Sequence, residues 1–145
     1  MLPARLTVVT LGARDLPRLR EFYADLGWEP AIDIDGLAAF RLRGAVLALY
    51  PLDQLAGDAR LDAAPPQPGL RGFNPAVNVD EIGQVDEAIE AARAAGARIS
   101  REPHTAEWGG RTAYFLDPED NLWEVAWVPP DSEMAALVRA ASAVR

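Results

Sequence analysis

Residues 6–28, LTVVTLGARDLPRLREFYADLGW, have the pattern of a strand followed by a helix. Residues 6–11 are rich in β-branched side chains and Gly12 ends that run, which is typical of a strand. Asp15 stands where a helix N-cap is expected. Apolar residues then recur at three- and four-residue steps over residues 16–26. The stretch therefore predicts a β-α pair.

The same order of elements is predicted a second time further along the chain. Each of the two predicted helices ends at a glycine, Gly27 or Gly96, and a strand candidate follows directly. The second helix candidate has an apolar stripe from Val85 to Ala95. The strand candidates after the first pair are residues 28–34, 37–42 and 45–50, and those of the second copy are residues 72–79, 97–100, 112–116 and 122–128.

These elements predict one domain over residues 1–145, built from two β-α-β-β-β units at about residues 4–50 and 71–128. Residues 51–70 are rich in proline, glycine and aspartate, so we expect an exposed linker without packed structure there. An alanine-rich helix is predicted over residues 131–143.

The amino-acid composition of the chain argues against several classes of function. The 145 residues carry a formal net charge of -8, and half of them are hydrophobic, which is typical of a globular domain. An acidic chain is a poor partner for nucleic acid or for an anionic membrane, so neither is expected. The absence of cysteine excludes disulfides, thiolate nucleophiles and cysteine-ligated metals. The N-terminus lacks the pattern of a signal peptide, so we expect a cytoplasmic protein.

Three motifs accompany the duplicated unit. Phe22-Tyr23 and Leu26-Gly27 lie late in the first helix, and an Asp117-Pro118 turn leads into Leu122-Trp123-Glu124-Val125. In this combination, over residues 6–128, the chain resembles the vicinal oxygen chelate superfamily, which includes glyoxalases, bleomycin resistance proteins and extradiol dioxygenases. The resemblance implies an α+β fold in which two tandem βαβββ units form a cup-shaped mixed β-sheet, and it implies a homodimer.

The resemblance also implies a place for a metal. Metal enzymes of this family hold a divalent ion with two histidines and one or two glutamates from strands of the two units. Carried onto this sequence, three of these positions are Val8, Ala48 and Asn74, and the fourth is Glu124. One carboxylate and one amide do not supply the ligands that zinc, nickel or iron normally has. We therefore expect no bound metal and no other cofactor.

Glu124 is the candidate catalytic residue. Strand alternation places it on the face of the last strand that lines the cup, with core-type residues on the other face (Trp123, Val125 and Trp127). Three roles stay open. Glu124 is a general base whose charged form is destabilised by lost hydration, a counter-charge for a cationic ligand, or a structural carboxylate. In the structural role its partner would be Asn74, Tyr50, Arg41 or Arg111.

His104, the only histidine, is predicted to lie in a loop between the strand at 97–100 and Trp108-Gly109-Gly110. Three interpretations stay open for it: a solvent-facing residue, a rim residue that hydrogen-bonds a ligand or moves a proton, and a metal ligand together with Glu124. Trp108 is predicted either to stack on a ligand or to pack on the neighbouring strand. The candidate ligand-binding residues are Asn74, Tyr50, Trp108, His104, Asn78 and Arg41.

Three functional hypotheses follow. The first is a metal-free protein that binds a small aromatic or cationic molecule in an apolar cup without turnover. The second is a lyase or isomerase of the same fold that uses Glu124 as a general base or as a divalent-metal ligand. The third is an interaction module whose cup is vestigial, which a filled cavity would favour.

Overall fold

The computed structural model describes residues 1–143 of the chain. These residues form two compact units, Met1–Pro66 with the C-terminal end from Ala141, and Gln67–Ala140. Each unit contains one four-stranded mixed sheet. The predicted α+β class with two tandem βαβββ units is thus confirmed.

The first unit contains four strands and two helices. Its sheet has the strand order β1-β4-β3-β2, in which β1 runs parallel to β4 and the other neighbours are antiparallel. The elements are β1 (Val8–Ala13), α1 (Leu16–Asp25), β2 (Pro30–Ile34), β3 (Leu37–Arg41), β4 (Val46–Pro51) and α2 (Leu52–Asp58).

The second unit repeats this topology. Its sheet has the order β5-β8-β7-β6, in which β5 runs parallel to β8 and the other neighbours are antiparallel. The elements are β5 (Ala76–Asn78), α3 (Gln84–Ala94), β6 (Arg98–Thr105), β7 (Arg111–Leu116) and β8 (Leu122–Trp127), and α4 (Glu133–Ser142) follows them. None of the helices described in residues 1–143 has the length and apolar character of a membrane span.

The largest differences from the sequence prediction are in three segments. The segment predicted as an unpacked linker contains the short helix α2, whose first turn is acidic and which buries no residue completely. Strand β5 is only three residues long. Strand β6 extends to Thr105, so His104 lies on a strand rather than in a loop. Register shifts between Ile99 and His104 explain why a regular alternation does not reveal this longer strand.

Helix α1 packs as its apolar periodicity predicts. The carboxylate of Asp15 accepts a hydrogen bond from the backbone N–H of Arg18 at 3.1 Å, which caps the helix. Phe22 and Tyr23 are buried in the core of the first unit, and the Tyr23 ring stacks on Trp28 with ring centroids 5.3 Å apart. The apolar stripe predicted for the first helix therefore faces the core.

Helix α3 covers one face of the second sheet. It buries Val85 and Ile89 against that sheet. The strand residues whose side chains lie on the face towards α3 are also buried. They include Phe115 and Trp123, whose rings are stacked with their centroids 6.3 Å apart. Val125 follows the same pattern, whereas Trp127 at the strand end is only half-buried. The remaining side chains, at alternate positions of each strand, lie on the opposite face of this sheet, which is called the site face below.

The turn between β7 and β8 is held by a buried carboxylate. Asp117 is 3% exposed, and its Oδ1 accepts hydrogen bonds from the backbone N–H groups of Glu119 and Asn121, both at 2.9 Å. Asp120 has a φ of +61°, where the resembled family more often has glycine. Aspartate tolerates this left-handed conformation better than most residues, so the turn is retained.

Arg111 joins the sheet to α3. Its Nε and Nη2 donate hydrogen bonds to the two carboxylate oxygens of Asp86 at 2.6 and 2.7 Å. The hydrogen bond from Arg111 is the main cause that lowers the pKa of Asp86 below its ordinary value, although partial burial opposes it. The pair is therefore a bidentate link between helix and strand.

We expect Asp86→Asn to destabilise the protein near pH 7 by about 0.5 kcal/mol, because the half-exposed pair is screened by solvent. Since folding lowers the pKa of Asp86, the pair stabilises the folded state above about pH 4 and loses that effect as the pH falls through the folded pKa. Urea denaturation near pH 7 and near pH 3 measures the difference. Glu87→Gln, an exposed change in the same helix turn, is the control. An equal loss for Asp86→Asn at both pH values would contradict the prediction.

Candidate functional site

The site face of the second sheet is built from three rows of directly facing residues. In an antiparallel or parallel ladder, residues opposite each other project to the same side, so each row forms a strip across the sheet. The middle row contains the only glutamate of β8. The rows are Leu122, Leu116 and Arg98; then Ala76, Glu124, Tyr114 and Arg101; then Asn78, Ala126, Thr112 and His104.

Glu124 is the centre of a polar cluster. Its Oε1 accepts hydrogen bonds from the hydroxyl of Thr112 at 2.8 Å and from the hydroxyl of Tyr114 at 2.9 Å. Its Oε2 accepts one from the side-chain amide of Asn74 at 3.2 Å. The sequence-based pairing of Glu124 with Asn74 is thus present, and Arg111 bonds to Asp86 instead.

Asn74 reaches the carboxylate from just before β5. The backbone N–H of Glu124 donates to the carbonyl oxygen of Pro75 at 3.0 Å, which extends the β5–β8 ladder towards Asn74. Because Asn74 Nδ2 donates to Glu124, Oδ1 is left as the acceptor, and it is buried without a partner among residues 1–143. An unmet buried acceptor costs free energy, so this oxygen is an unusual feature beside the carboxylate.

The pKa of the Tyr114 phenol is raised by its surroundings. Partial burial raises the pKa of its phenol above the ordinary value, and the adjacent Glu124 carboxylate adds to the rise, whereas Thr112 and Arg101 lower it. The phenol therefore stays protonated across the physiological range. In that form it keeps donating its hydrogen bond to Glu124.

The structure places two further predicted residues on the same face. Asn78 and His104 occupy the row next to Glu124, at the two edges of the sheet. His104 Nδ1 lies 3.1 Å from the carbonyl oxygen of Glu102. A carbonyl only accepts, so Nδ1 is the donor in this contact. Neither residue contacts Glu124 among the hydrogen bonds of the described residues.

Trp108 stands at the tip of the β6–β7 hairpin. Backbone hydrogen bonds between Ala106 and Gly110 close this turn, and Gly109 has a φ of +89°. The indole ring lies directly over Gly110, where any β-carbon would collide with it. The indole thus lies on the backbone of its own turn rather than on a strand, and the side chain remains 55% exposed. Its stacking on a ligand stays a prediction.

Tyr50 and Arg41 belong to the first unit. Tyr50 is half-buried on β4 opposite Gly12, and Arg41 is exposed at the end of β3 opposite Val46. The first sheet has no counterpart of the polar cluster. The row that matches Ala76, Glu124, Tyr114 and Arg101 in strand order consists of Thr10, Ala48, Ala39 and Ile32.

The donor set does not fit the metal that the resemblance implies. No group of three histidine, aspartate or glutamate side chains in residues 1–143 is placed to hold an ion. Glu124 Oε1 already accepts two hydroxyl hydrogen bonds, which use the lone pairs that a metal would need. The side chains of Val8 and Ala48 contain no atom that can bind a metal ion.

Sequence reasoning missed the roles of Thr112 and Tyr114. Both lie on β7 with the parity of the site face, but only the cross-strand register shows that Tyr114 is directly opposite Glu124. The sequence did contain a signal for them. Thr112 and Tyr114 lie two residues apart on the predicted strand at 112–116, so their hydroxyl groups share one face of the strand that precedes the strand of Glu124.

Comparisons with known proteins agree with the fold. Residues 5–125 match the family model described as Glyoxalase/Bleomycin resistance protein/Dioxygenase superfamily. A glyoxalase-related enzyme from Fulvimarina pelagi is similar at 30% sequence identity, over 88% of this chain and 90% of that chain, with a TM-score of 0.79. No curated protein sequence matches this chain.

Two other solved structures are also similar. A glyoxalase/bleomycin resistance protein/dioxygenase from Nocardioides has 26% identity over 91% of this chain and 88% of that chain, with a TM-score of 0.75. Lactoylglutathione lyase from Agrobacterium tumefaciens has 27% identity over 86% of this chain and 94% of that chain, with a TM-score of 0.65.

The Tyr114 phenol offers a direct test of the cluster. We expect Glu124→Gln to lower the pKa of Tyr114, because the charge that opposes tyrosinate is removed. Arg101→Gln should raise the pKa, because Arg101 favours tyrosinate. The measurement is a pH titration of the labelled Tyr114 ring carbon by NMR. If neither variant moves the titration, or if both move it the same way, the geometry of the cluster is wrong.

Proposed function

Because this chain belongs to the glyoxalase/bleomycin resistance protein/dioxygenase superfamily, we propose that it binds a small cationic or aromatic molecule at Glu124 without a metal ion. The proposal places the protein in the cytoplasm as a homodimer. Its absence of cysteine suits a reducing compartment, and dimers are common among proteins of this superfamily.

The observation that carries the proposal is the charge of Glu124. Its three hydrogen-bond donors, Asn74, Thr112 and Tyr114, are all neutral. No arginine or histidine in residues 1–143 forms an ion pair with it. The donors orient the carboxylate, but none of them carries a positive charge. A cationic ligand would supply the missing counter-charge.

The number of free acceptor positions supports the same conclusion. A carboxylate offers about four lone-pair positions, and protein donors occupy three of those of Glu124. The remaining position is on Oε2, beside the unmet Oδ1 of Asn74. An N–H donor on a cation suits this free position on Oε2. The apolar neighbours Leu122 and Ala76 suit the body of an aromatic ring.

A second candidate is a lyase or isomerase in which Glu124 Oε2 removes a proton from a carbon acid. Two similar structures support it by their descriptions, one as a glyoxalase-related enzyme and one as lactoylglutathione lyase. Tyr114 would then donate a hydrogen bond to Glu124 throughout the proton transfer. Formation or loss of S-lactoylglutathione by the wild type, and its abolition in Glu124→Gln, would favour this candidate over binding alone.

Binding of matched probes tests the first candidate. We expect benzamidinium to bind and the neutral amide benzamide, which has the same shape, to bind at least about tenfold more weakly. Glu124→Gln should weaken benzamidinium binding by a similar factor, because it removes the counter-charge but keeps the size of the side chain. Isothermal titration calorimetry measures both.

Glu87→Gln is the matched control, since it removes one exposed carboxylate from α3 on the other side of the sheet. The control should leave the affinity unchanged. Equal binding of benzamidinium by the wild type and by Glu124→Gln, or no binding by the wild type, would sink the proposal.

Metal content distinguishes the proposal from metal-dependent chemistry. We expect less than about a tenth of an ion per chain after reconstitution with zinc, nickel, iron(II) or manganese, because the donor set is too small. Plasma mass spectrometry of untagged protein purified without chelator is the measurement. Near-stoichiometric loading that Glu124→Gln abolishes would make Glu124 a metal ligand instead.

A further inference from the structure

A second binding surface lies in the same unit, next to the Glu124 cluster. A cavity of about 430 Å³ is lined by residues 67–73, which precede β5, and by parts of β6, β7 and β8. Its sheet side is the row of the site face that lies one step from Glu124, where Leu116 faces Leu122. Leu70 and Phe73 line it from the preceding segment. The volume is in the range of small-molecule sites.

Two arginines line this apolar cavity. They are Arg71, before β5, and Arg98, at the start of β6. Asp120 is the one acidic residue that lines it, so the charged residues of the lining carry one net positive charge in a chain of net charge -8. A local positive site on an acidic protein favours an anion over a cation.

One turn positions both arginines. Nη2 of Arg71 donates to the carbonyl oxygen of Glu119 at 2.6 Å, and Nη2 of Arg98 donates to Oδ1 of Asp120 at 2.7 Å. The backbone of this turn is itself fixed by the buried carboxylate of Asp117. Each guanidinium thus uses one donor for orientation and keeps others for a ligand. The arginines are held by a rigid element although they are remote from each other in sequence.

We propose that this cavity binds a small carboxylate with an apolar body. The carboxylate is held by Arg71 and Arg98, whose planar guanidinium groups match its geometry, and the body lies on Leu116 and Leu122. The predominance of apolar lining residues favours such a ligand over inorganic phosphate or sulfate, which has no surface to bury there. The inference goes beyond the function proposed for Glu124, and it does not require a ligand at Glu124.

Three probes of equal length test the charge preference. We expect hexanoate to bind and to shift the methyl NMR signals of Leu116 and Leu122. Hexanamide should bind at least about tenfold more weakly because it lacks the charge, and hexylammonium should not bind in this cavity. Equal affinity of hexanoate and hexanamide, or hexanoate binding that leaves both leucine signals unchanged, would overturn the proposal.

Variants then assign the binding to the arginines. Arg71→Gln and Arg98→Gln should each weaken hexanoate binding about tenfold. Arg93→Gln is the control, because Arg93 is an exposed α3 arginine paired with Glu102. Asp120→Asn should strengthen binding, because it removes the one negative charge of the lining, whereas the asparagine Oδ1 still accepts from Arg98 and asparagine still tolerates the left-handed backbone. A misfolded variant would not bind more tightly, so this gain separates recognition from structural damage.

Glu124→Gln distinguishes the two proposals. Hexanoate affinity should be unchanged in that variant, whereas benzamidinium affinity falls. Loss of hexanoate binding in Glu124→Gln would place the carboxylate elsewhere and overturn this inference. Loss of benzamidinium selectivity with retained hexanoate binding would overturn only the function proposed for Glu124. Unchanged hexanoate binding in both arginine variants would likewise exclude this cavity as the carboxylate site.

Discussion

The buried carboxylate of Asp117 fixes the connection on which the rest of the second unit depends. By accepting the backbone N–H groups of Glu119 and Asn121, it sets where β7 ends and β8 begins. The register that follows places Leu116 opposite Leu122 and Tyr114 opposite Glu124. A slip of one residue in either strand would turn its side chains to the other face, so the hydroxyl groups would point at α3. The polar cluster therefore depends on a turn that contains none of its members.

This dependence explains how a carboxylate is held without a cation. Three neutral donors arrive from β7 and from the residue before β5, and each is placed by backbone pairing rather than by its own flexibility. The two side chains that donate from β7 lose little further entropy on forming these bonds, because packing already orders them: Thr112 is almost fully buried and Tyr114 is half-buried. The result is an ordered carboxylate that has no ion-pair partner among residues 1–143. Such a group is suited to a charged ligand.

Much of the fold could be predicted because its signals are local. The apolar stripe of α1 and the alternation of β8 mark a buried face directly, and Phe22, Tyr23 and Trp123 occupy the core as expected. The pairing of Glu124 with Asn74 was also accessible, because the family resemblance implies neighbouring places for these two residues. In contrast, α2 has no completely buried residue to give it a periodic stripe, and the prolines and glycines elsewhere in residues 51–70 made the whole segment resemble a linker.

The rest of the site required information that a single strand does not contain. Whether Tyr114 faces Glu124 depends on the register between two strands, and this is set by the turn at Asp117. His104 was assigned to a loop because β6 is irregular, with shifts in its pairing between Ile99 and His104. Bulges of this kind break the two-residue period on which the prediction relied. Long-range register and local irregularity are thus the two physical reasons for the misses.

The two sheets of the chain share a topology but not a chemistry. Where the second sheet has Glu124 and Tyr114, the first has Ala48 and Ala39 at the matching places in the same strand order. At this row the first sheet has two buried alanines and no carboxylate, so the two sheets differ in charge at matching backbone positions. A compound that associates equally with both sheets recognises exposed β-structure or apolar area. A compound that distinguishes them recognises the side chains, and its stoichiometry is one per chain.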